Sequence, residues 1–303
     1  MLNRDAEIFN LAGQFQLPQV EQATQPLVES GLADILALAF IGCLLLCVAL
    51  EWRRPCLRPG KKSLKHSYLT NLSTFLLNDI TLSLLSIPSL YFIAQQMPGD
   101  GLLSGLDDGP AKWALTFLLL DFTLYAWHYA THHFDTLWIF HKVHHSDRVY
   151  NVTTGLRFHF GELFLEVLLR VAFIGIMGVS AETVLVCQTV ITLFVLFHHT
   201  NTHFAGERLL SKLFIVPCLH RTHHSTLRSE HDSNYGAVFS FWDRLFGTLI
   251  EREPKAIGLH GVDEQGWLDL VKYGCTTRIQ FRQATAPALA PVRAMRRLLA
   301  HKS

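Results

Sequence analysis

Fourteen of the seventeen histidines in this 303-residue chain fall between His128 and His231. Ten of them form four spaced boxes: His128 with His132, His141 with His144 and His145, His199 with His203, and His220 with His223 and His224. Imidazoles three or four residues apart project from one face of a helix, because the helix turns once per ~3.6 residues. A fold that carries these boxes has to bring several such faces together. They supply more nitrogen than one metal ion can use. Imidazole suits Fe, Zn, Cu and Ni, so the count points to a site for two metals.

Half of the residues are hydrophobic, and 17% are charged. The stretch from Leu32 to Leu50 is apolar almost throughout, long enough to cross a hydrocarbon core of ~30 Å as a helix. A second span is expected from about Leu72 to Met97 and a third from about Trp113 to Ala130. Two shorter apolar stretches follow, Leu163 to Val179 and Thr183 to Phe197, joined by a turn at Gly178 to Glu182. They either cross the membrane or form a re-entrant hairpin.

Loop charge orients these spans. Arg53, Arg54, Arg58, Lys61, Lys62 and Lys65 follow the first span with no acid among them. The N-terminal segment and the loop holding Asp100, Asp107 and Asp108 are acidic. Excess lysine and arginine mark the cytoplasmic side, so the N-terminus is expected outside. Hydropathy and loop charge, read without reference to histidine, then place all four boxes on one membrane face.

Other features exclude classes. The first apolar run follows some thirty mostly polar residues, unlike a signal peptide. Six cysteines give no C-x-x-C pair, which argues against a cysteine zinc site or a disulfide scaffold. A formal net charge of +1 gives no reason to expect nucleic acid. No haem-attachment or dinucleotide fingerprint is present. The tail from Pro291 carries Arg293, Arg296, Arg297 and Lys302 among leucine and alanine, as a basic amphipathic helix on lipid would, or a solvated tail. Nothing in its last residues reads as a dilysine retrieval signal, which favours a bacterial cytoplasmic membrane.

His133 and His198 adjoin box members but fall on other helical faces, and His66, His231, His260 and His301 read as structural or surface residues. Asp121 lies in the third span on the stripe of His128 and His132. An ionisable group at that depth lines a pocket, orients a ligand histidine or bonds a neighbouring helix. Glu162, Glu166 and Arg170 form a one-turn stripe, with Glu166 and Arg170 expected to pair.

The boxes HKVHH and HRTHH, an upstream H-x-x-x-H, and the downstream strings SNYG and FWDRLFGT resemble the fatty acid hydroxylase superfamily. That superfamily includes sterol desaturases, sphingolipid and fatty acid hydroxylases and alkylglycerol monooxygenases. The resemblance covers about Leu115 to Thr248. It implies an integral membrane oxygenase with a histidine-held dimetal centre. By resemblance, the metal ligands are His128, His132, His141, His144, His145, His199, His203, His220, His223 and His224. His159 is carried over as a further ligand or as the hydrogen-bond partner of one. Tyr129 stands where the family often has arginine.

The expected fold is all-α: a polytopic membrane helical bundle with a cytoplasmic histidine-rich dimetal cap. Its parts are an outer N-terminal segment (1–31), two spans with their loops (32–112), a hydroxylase-like catalytic domain (113–250) and a cytoplasmic C-terminal segment (251–303). The expected function is hydroxylation of a bilayer lipid with two iron ions, O2 as co-substrate and a separate electron-donor protein. Zinc is expected to compete for the site on purification. The same centre would serve a desaturase. A metal transporter would instead line several spans with ionisable groups, and a structural zinc protein would close each site with four ligands.

Overall fold

The computed structural model describes residues 31–85 and 89–276. Nearly all of the acidic N-terminal segment, and the basic tail from Pro291, lie outside the described residues. The chain is helical: α1 (Leu32–Arg53), α2 (Lys61–Leu84), α3 (Leu90–Gln96), α4 (Pro110–His133), α5 (Asp135–His145), α6 (Phe160–Met177) and α7 (Ala181–His198). Shorter helices follow: α8 (Glu207–Leu210), α9 (Pro217–His223), α10 (Arg228–His231), α11 (Phe241–Phe246) and α12 (Trp267–Gly274). Among the described residues there is no strand, only isolated bridges such as Pro55 with Thr202.

Helix α1 is long enough to reach across a bilayer core, at about 33 Å for its 22 residues. Leu38, Ile41, Leu45 and Leu46 are exposed along it. Helix α2 is turned inside out relative to a water-soluble helix. It buries Ser67, Thr70, Asn71, Thr74 and Asn78 and exposes Leu72, Phe75, Leu76 and Ile80. Lipid has no quarrel with apolar side chains, whereas polar groups there must find partners inside the bundle. By length and composition, α1 from Asp34 and α7 qualify as membrane spans.

The span expected to run unbroken from Leu72 to Met97 is divided. Helix α2 starts earlier, at Lys61, and stops at Leu84, and α3 restarts at Leu90. The sequence holds Pro88 between them, which lacks the amide a continuous helix needs and disfavours helix in the residue before it. The Ser89 side chain caps the restart by accepting from Phe92 N. Helix α4 covers the stretch expected for the third span, and α6 and α7 cover the two limbs of the hairpin. Gly178 ends α6 with φ 65°, and Ser180 caps α7. A Cβ at Gly178 would come within 2.6 Å of backbone atoms of Gly99 and Gly101, so only glycine admits that loop.

Helices α4, α6 and α7 share a core of Leu120, Leu124, Phe173, Cys187 and Ile191. Two of them, α4 and α7, end in histidine, and α6 begins directly after His159. Buried polar groups lock this end. Glu51 of α1 accepts from Val152 N (2.6 Å) and Asn201 N (2.7 Å) with Oε1, and from the Tyr68 hydroxyl (2.6 Å) with Oε2. One carboxylate thereby ties α1 and α2 to the loops that follow His145 and His199. Asp147 accepts from Ser67 Oγ and Asn71 Nδ2, and Arg157 donates to Val143 O, Ser146 Oγ and Asn71 Oδ1. Burial pushes the Asp147 carboxyl up, but Arg157 and these donors hold it below its ordinary value.

Candidate metal centre

Nine histidines converge into two groups whose nitrogens lie within 4.8 Å of one another. The first group is His128 and His132 of α4, His141 and His145 of α5, and His223 of α9. The second is His144 of α5, His199 at the end of α7, His220 of α9, and His224 just beyond it. Each H-x-x-H-H box therefore serves both groups. Adjacent residues on a helix diverge by ~100°, so His144 and His145 point to different groups, as do His223 and His224.

The ring orientations are consistent. Nδ1 of His128 donates to Tyr235 O (2.9 Å), that of His199 to Val195 O (2.7 Å) and that of His223 to Ser233 O (2.6 Å). Nδ1 of His141 donates to Glu162 Oε1 (2.6 Å), and that of His144 to Arg157 O (3.3 Å). His132 Nδ1 faces Asp232 Oδ1 at 3.4 Å. A proton on Nδ1 leaves the Nε2 lone pair free, and the partner fixes ring and tautomer together.

Those lone pairs have nothing in the protein to meet. Nε2 of His128, His132 and His223 is buried without a hydrogen-bond partner. Nε2 atoms approach one another at 3.2 Å between His141 and His145, 3.2 Å between His144 and His199, 3.0 Å between His199 and His220, and 3.3 Å between His220 and His224. His144 and His199 both donate through Nδ1, so their facing Nε2 atoms are two acceptors that repel at that distance. A shared cation about 2.1 Å from each nitrogen, at coordination angles of about 90–105°, sets them roughly 3.0–3.3 Å apart. The donor set therefore fits two metal ions.

Burial also keeps the rings neutral. It pushes His141 and His199 down to about 3, and His132, His144, His145, His220, His223 and His224 well below the ordinary imidazole value. Protons then do not compete with metal at neutral pH. Burial likewise pushes Glu162 up, while a cation beyond His141 acts in the opposite direction.

Of the ten box residues, the structure does not bring His203 to either group. Its side chain is 62% exposed and pairs with Glu207 at 2.6 Å. Helix α7 ends at His198, so the four-residue spacing from His199 no longer places both rings on one face. His159 caps α6, accepting from Gly161 N (3.1 Å), with Nε2 towards Val271 O (3.3 Å). Asp121 accepts from Val238 N, Phe239 N and Trp242 Nε1. It therefore anchors the segment next to Tyr235 and touches no ligand histidine.

The neighbouring histidines divide. His133 turns away, stacked on Tyr129 at 3.8 Å. His198 does not: its buried ring lies 4.0 Å from that of His220. His231 packs 5.2 Å from both His132 and His145. The link from His141 to Glu162 was missed by sequence reasoning, which grouped Glu162 only with Glu166 and Arg170. Its signal was present, an acid at the head of a helix that starts beside a predicted ligand box.

A cavity of about 100 Å³ adjoins the centre. His128, His141, His144, His199 and His220 line it, together with Leu124, Trp127, Ile191 and Val195. The fatty acid hydroxylase family model matches residues 113–248. Those residues belong to the fatty acid hydroxylase family. The matched segment takes in all nine converging histidines.

Among the relatives of this chain, an ornithine lipid hydroxylase of Rhizobium tropici is 31% identical over 52% of this chain and 50% of its own. An alkylglycerol monooxygenase of Xenopus tropicalis is 31% identical over 50% of this chain and 33% of its own. The corresponding human enzyme is 26% identical over 72% of this chain and 48% of its own. The chain spans half or less of the length of these relatives. No solved structure matches it.

Proposed function

We propose that the chain is a multi-pass membrane oxygenase that hydroxylates a lipid at a histidine-held dimetal centre, with iron as the working metal. The observation that carries this reading is the pair of histidine groups, five of whose members line an apolar cavity. His128, His132, His141, His145 and His223 hold one metal, and His144, His199, His220 and His224 hold the other. Iron, when bound, supplies the reduction of O2 and the oxidant that an unactivated C–H bond requires. No side chain supplies that chemistry.

The protein's own residues do the rest. Glu162, Tyr235 O, Val195 O and Ser233 O hold the imidazoles in register. The apolar wall excludes water and guides a chain towards the histidines. At about 100 Å³ the cavity is smaller than pockets that enclose a whole ligand, so most of the lipid stays in the bilayer. One oxygen atom enters the C–H bond and the other leaves as water, with two electrons from a separate donor protein and two protons from solvent.

The basic loop after α1 gives the orientation. Glu51 fastens the end of α1 beside the loops that carry the histidines, so Arg53 to Lys65 and the metal centre share a membrane face. That face is the cytoplasmic one by the excess of positive charge, in a bacterial inner membrane with the N-terminus outside. Residues 113–250 form the catalytic unit, 32–112 its membrane support and 251–303 a cytoplasmic segment. The named relatives are an ornithine lipid hydroxylase and an alkylglycerol monooxygenase, which favours hydroxylation of a lipid over desaturation.

Comparative lipidomics of cells with and without the chain tests the reading. A lipid that gains one oxygen atom only when the chain is present supports hydroxylation. Loss of two hydrogens instead supports desaturation. No change in any lipid under aerobic, iron-replete growth contradicts both.

A further inference from the structure

The cavity wall carries one ion pair that the metal centre does not use. Arg170 of α6 donates through Nε to Glu166 Oε1 at 2.9 Å, and its Nη2 binds the same oxygen. Its Nη1 donates to Gln188 Oε1 of α7 at 2.8 Å. Glu166 and Arg170 line the cavity that the ligand histidines line. Arg170 and Gln188 also border a smaller apolar cavity, where Thr116 Oγ1 is buried without a partner. Arg170 thus lines both cavities.

An ionisable pair in an apolar hairpin is costly and is retained for a reason. Packing does not require this one, because α6 and α7 already meet through Phe173, Cys187 and Ile191. The bonds to Glu166 and Gln188 leave guanidinium N–H groups over. Planar N–H groups of this kind match the oxygens of a carboxylate or phosphate. Glu162, Glu166 and Arg170 succeed one another at single turns, and Glu162 touches His141. Arg170 therefore sits about 12 Å along the helix from the carboxylate that holds a ligand histidine.

We propose that Arg170 binds an anionic oxygen group of the substrate, carboxylate or phosphate, and that Glu166 occupies the guanidinium until the substrate arrives. This rests on the reading of the cavity as the substrate site. It makes the substrate an anionic lipid, held so that the attacked carbon lies about two helical turns from the charged group. Glu166 competes with the substrate for the same donors, and Gln188 keeps Arg170 aimed.

Binding is measured on the full chain loaded with zinc, so that no turnover intervenes, by native mass spectrometry from detergent. The probes are palmitate, a palmitoyl lysophosphatidic acid and hexadecanol. Wild-type protein is expected to retain at least one anionic probe roughly tenfold better than the alcohol. Arg170→Gln is expected to erase that preference. Glu166→Gln is expected to strengthen anion binding severalfold, because it removes the competing carboxylate. The metal content of each variant confirms that it is folded.

A merely structural pair makes the two substitutions weaken binding of all three probes alike, and that result overturns the proposal. So does an anion preference that survives in Arg170→Gln. Preference for palmitate or for the phosphate identifies which anionic group is taken. If the preference behaves as expected while no lipid gains oxygen in cells, the hydroxylase reading fails and the anion site stands.

Discussion

The Nδ1–H of His141 donates to Oε1 of Glu162 at 2.6 Å, with both side chains buried. The contact links the helix that carries the first H-x-x-H-H box to the helix that walls the cavity. It also aims Nε2 of His141 at Nε2 of His145, 3.2 Å away. A carboxylate behind a ligand imidazole raises its basicity and fixes its ring.

Glu162→Gln should therefore weaken metal retention by roughly ten- to a hundredfold while leaving the helices intact. Competition with a graded chelator, read against circular dichroism, checks this. Retention equal to wild type would show that the contact does not support the metal.

His203 and His198 should exchange the roles their sequence positions suggest. His203→Ala removes an exposed ring paired with Glu207 and should keep metal content and at least half of the activity. His198→Ala opens a space beside His220 and should lower activity several-fold, because a buried ring is lost against a ligand. Product formation in membranes, normalised to protein level, separates them. A His203→Ala variant as inactive as His144→Ala would place His203 at the metal.

Acid should unfold the metal-free protein early. The folded-state values of His141 and His199 are lowered to about 3 from an ordinary 6.5, chiefly by burial. The unfolded chain then binds more protons between those values, so stability rises with pH across the window. The contribution is complete above pH 6.5 and is lost progressively as pH falls towards 3. Thermal unfolding of metal-stripped protein in detergent at pH 7.5 and 5.0 should show a lower midpoint at pH 5.0. Equal or higher midpoints would contradict the burial of neutral rings.

Much of the centre was legible because a helix turns regularly. His141, His144 and His145 sit on one helix, and their spacing alone implies shared and diverging faces. The turn at Gly178 and the helix that carries His128 were legible because glycine and hydropathy punctuate the chain locally. His203 was misplaced by the same regularity, which assumes that a helix continues past His199. Where α7 stops depends on Glu51 taking the Asn201 amide from 150 residues away, and spacing does not encode that contact. The roles of Glu162 and Asp121 were hidden for the same reason. Each side chain is defined by a partner on another element.

The central claim is that the nine converging imidazoles hold two metal ions. Metal analysis of purified, unstripped protein tests it most directly. Two metals per chain are expected in the wild type, iron or adventitious zinc. About one is expected when His223→Ala opens the first group or His220→Ala opens the second. One metal or fewer per folded wild-type chain would contradict the account.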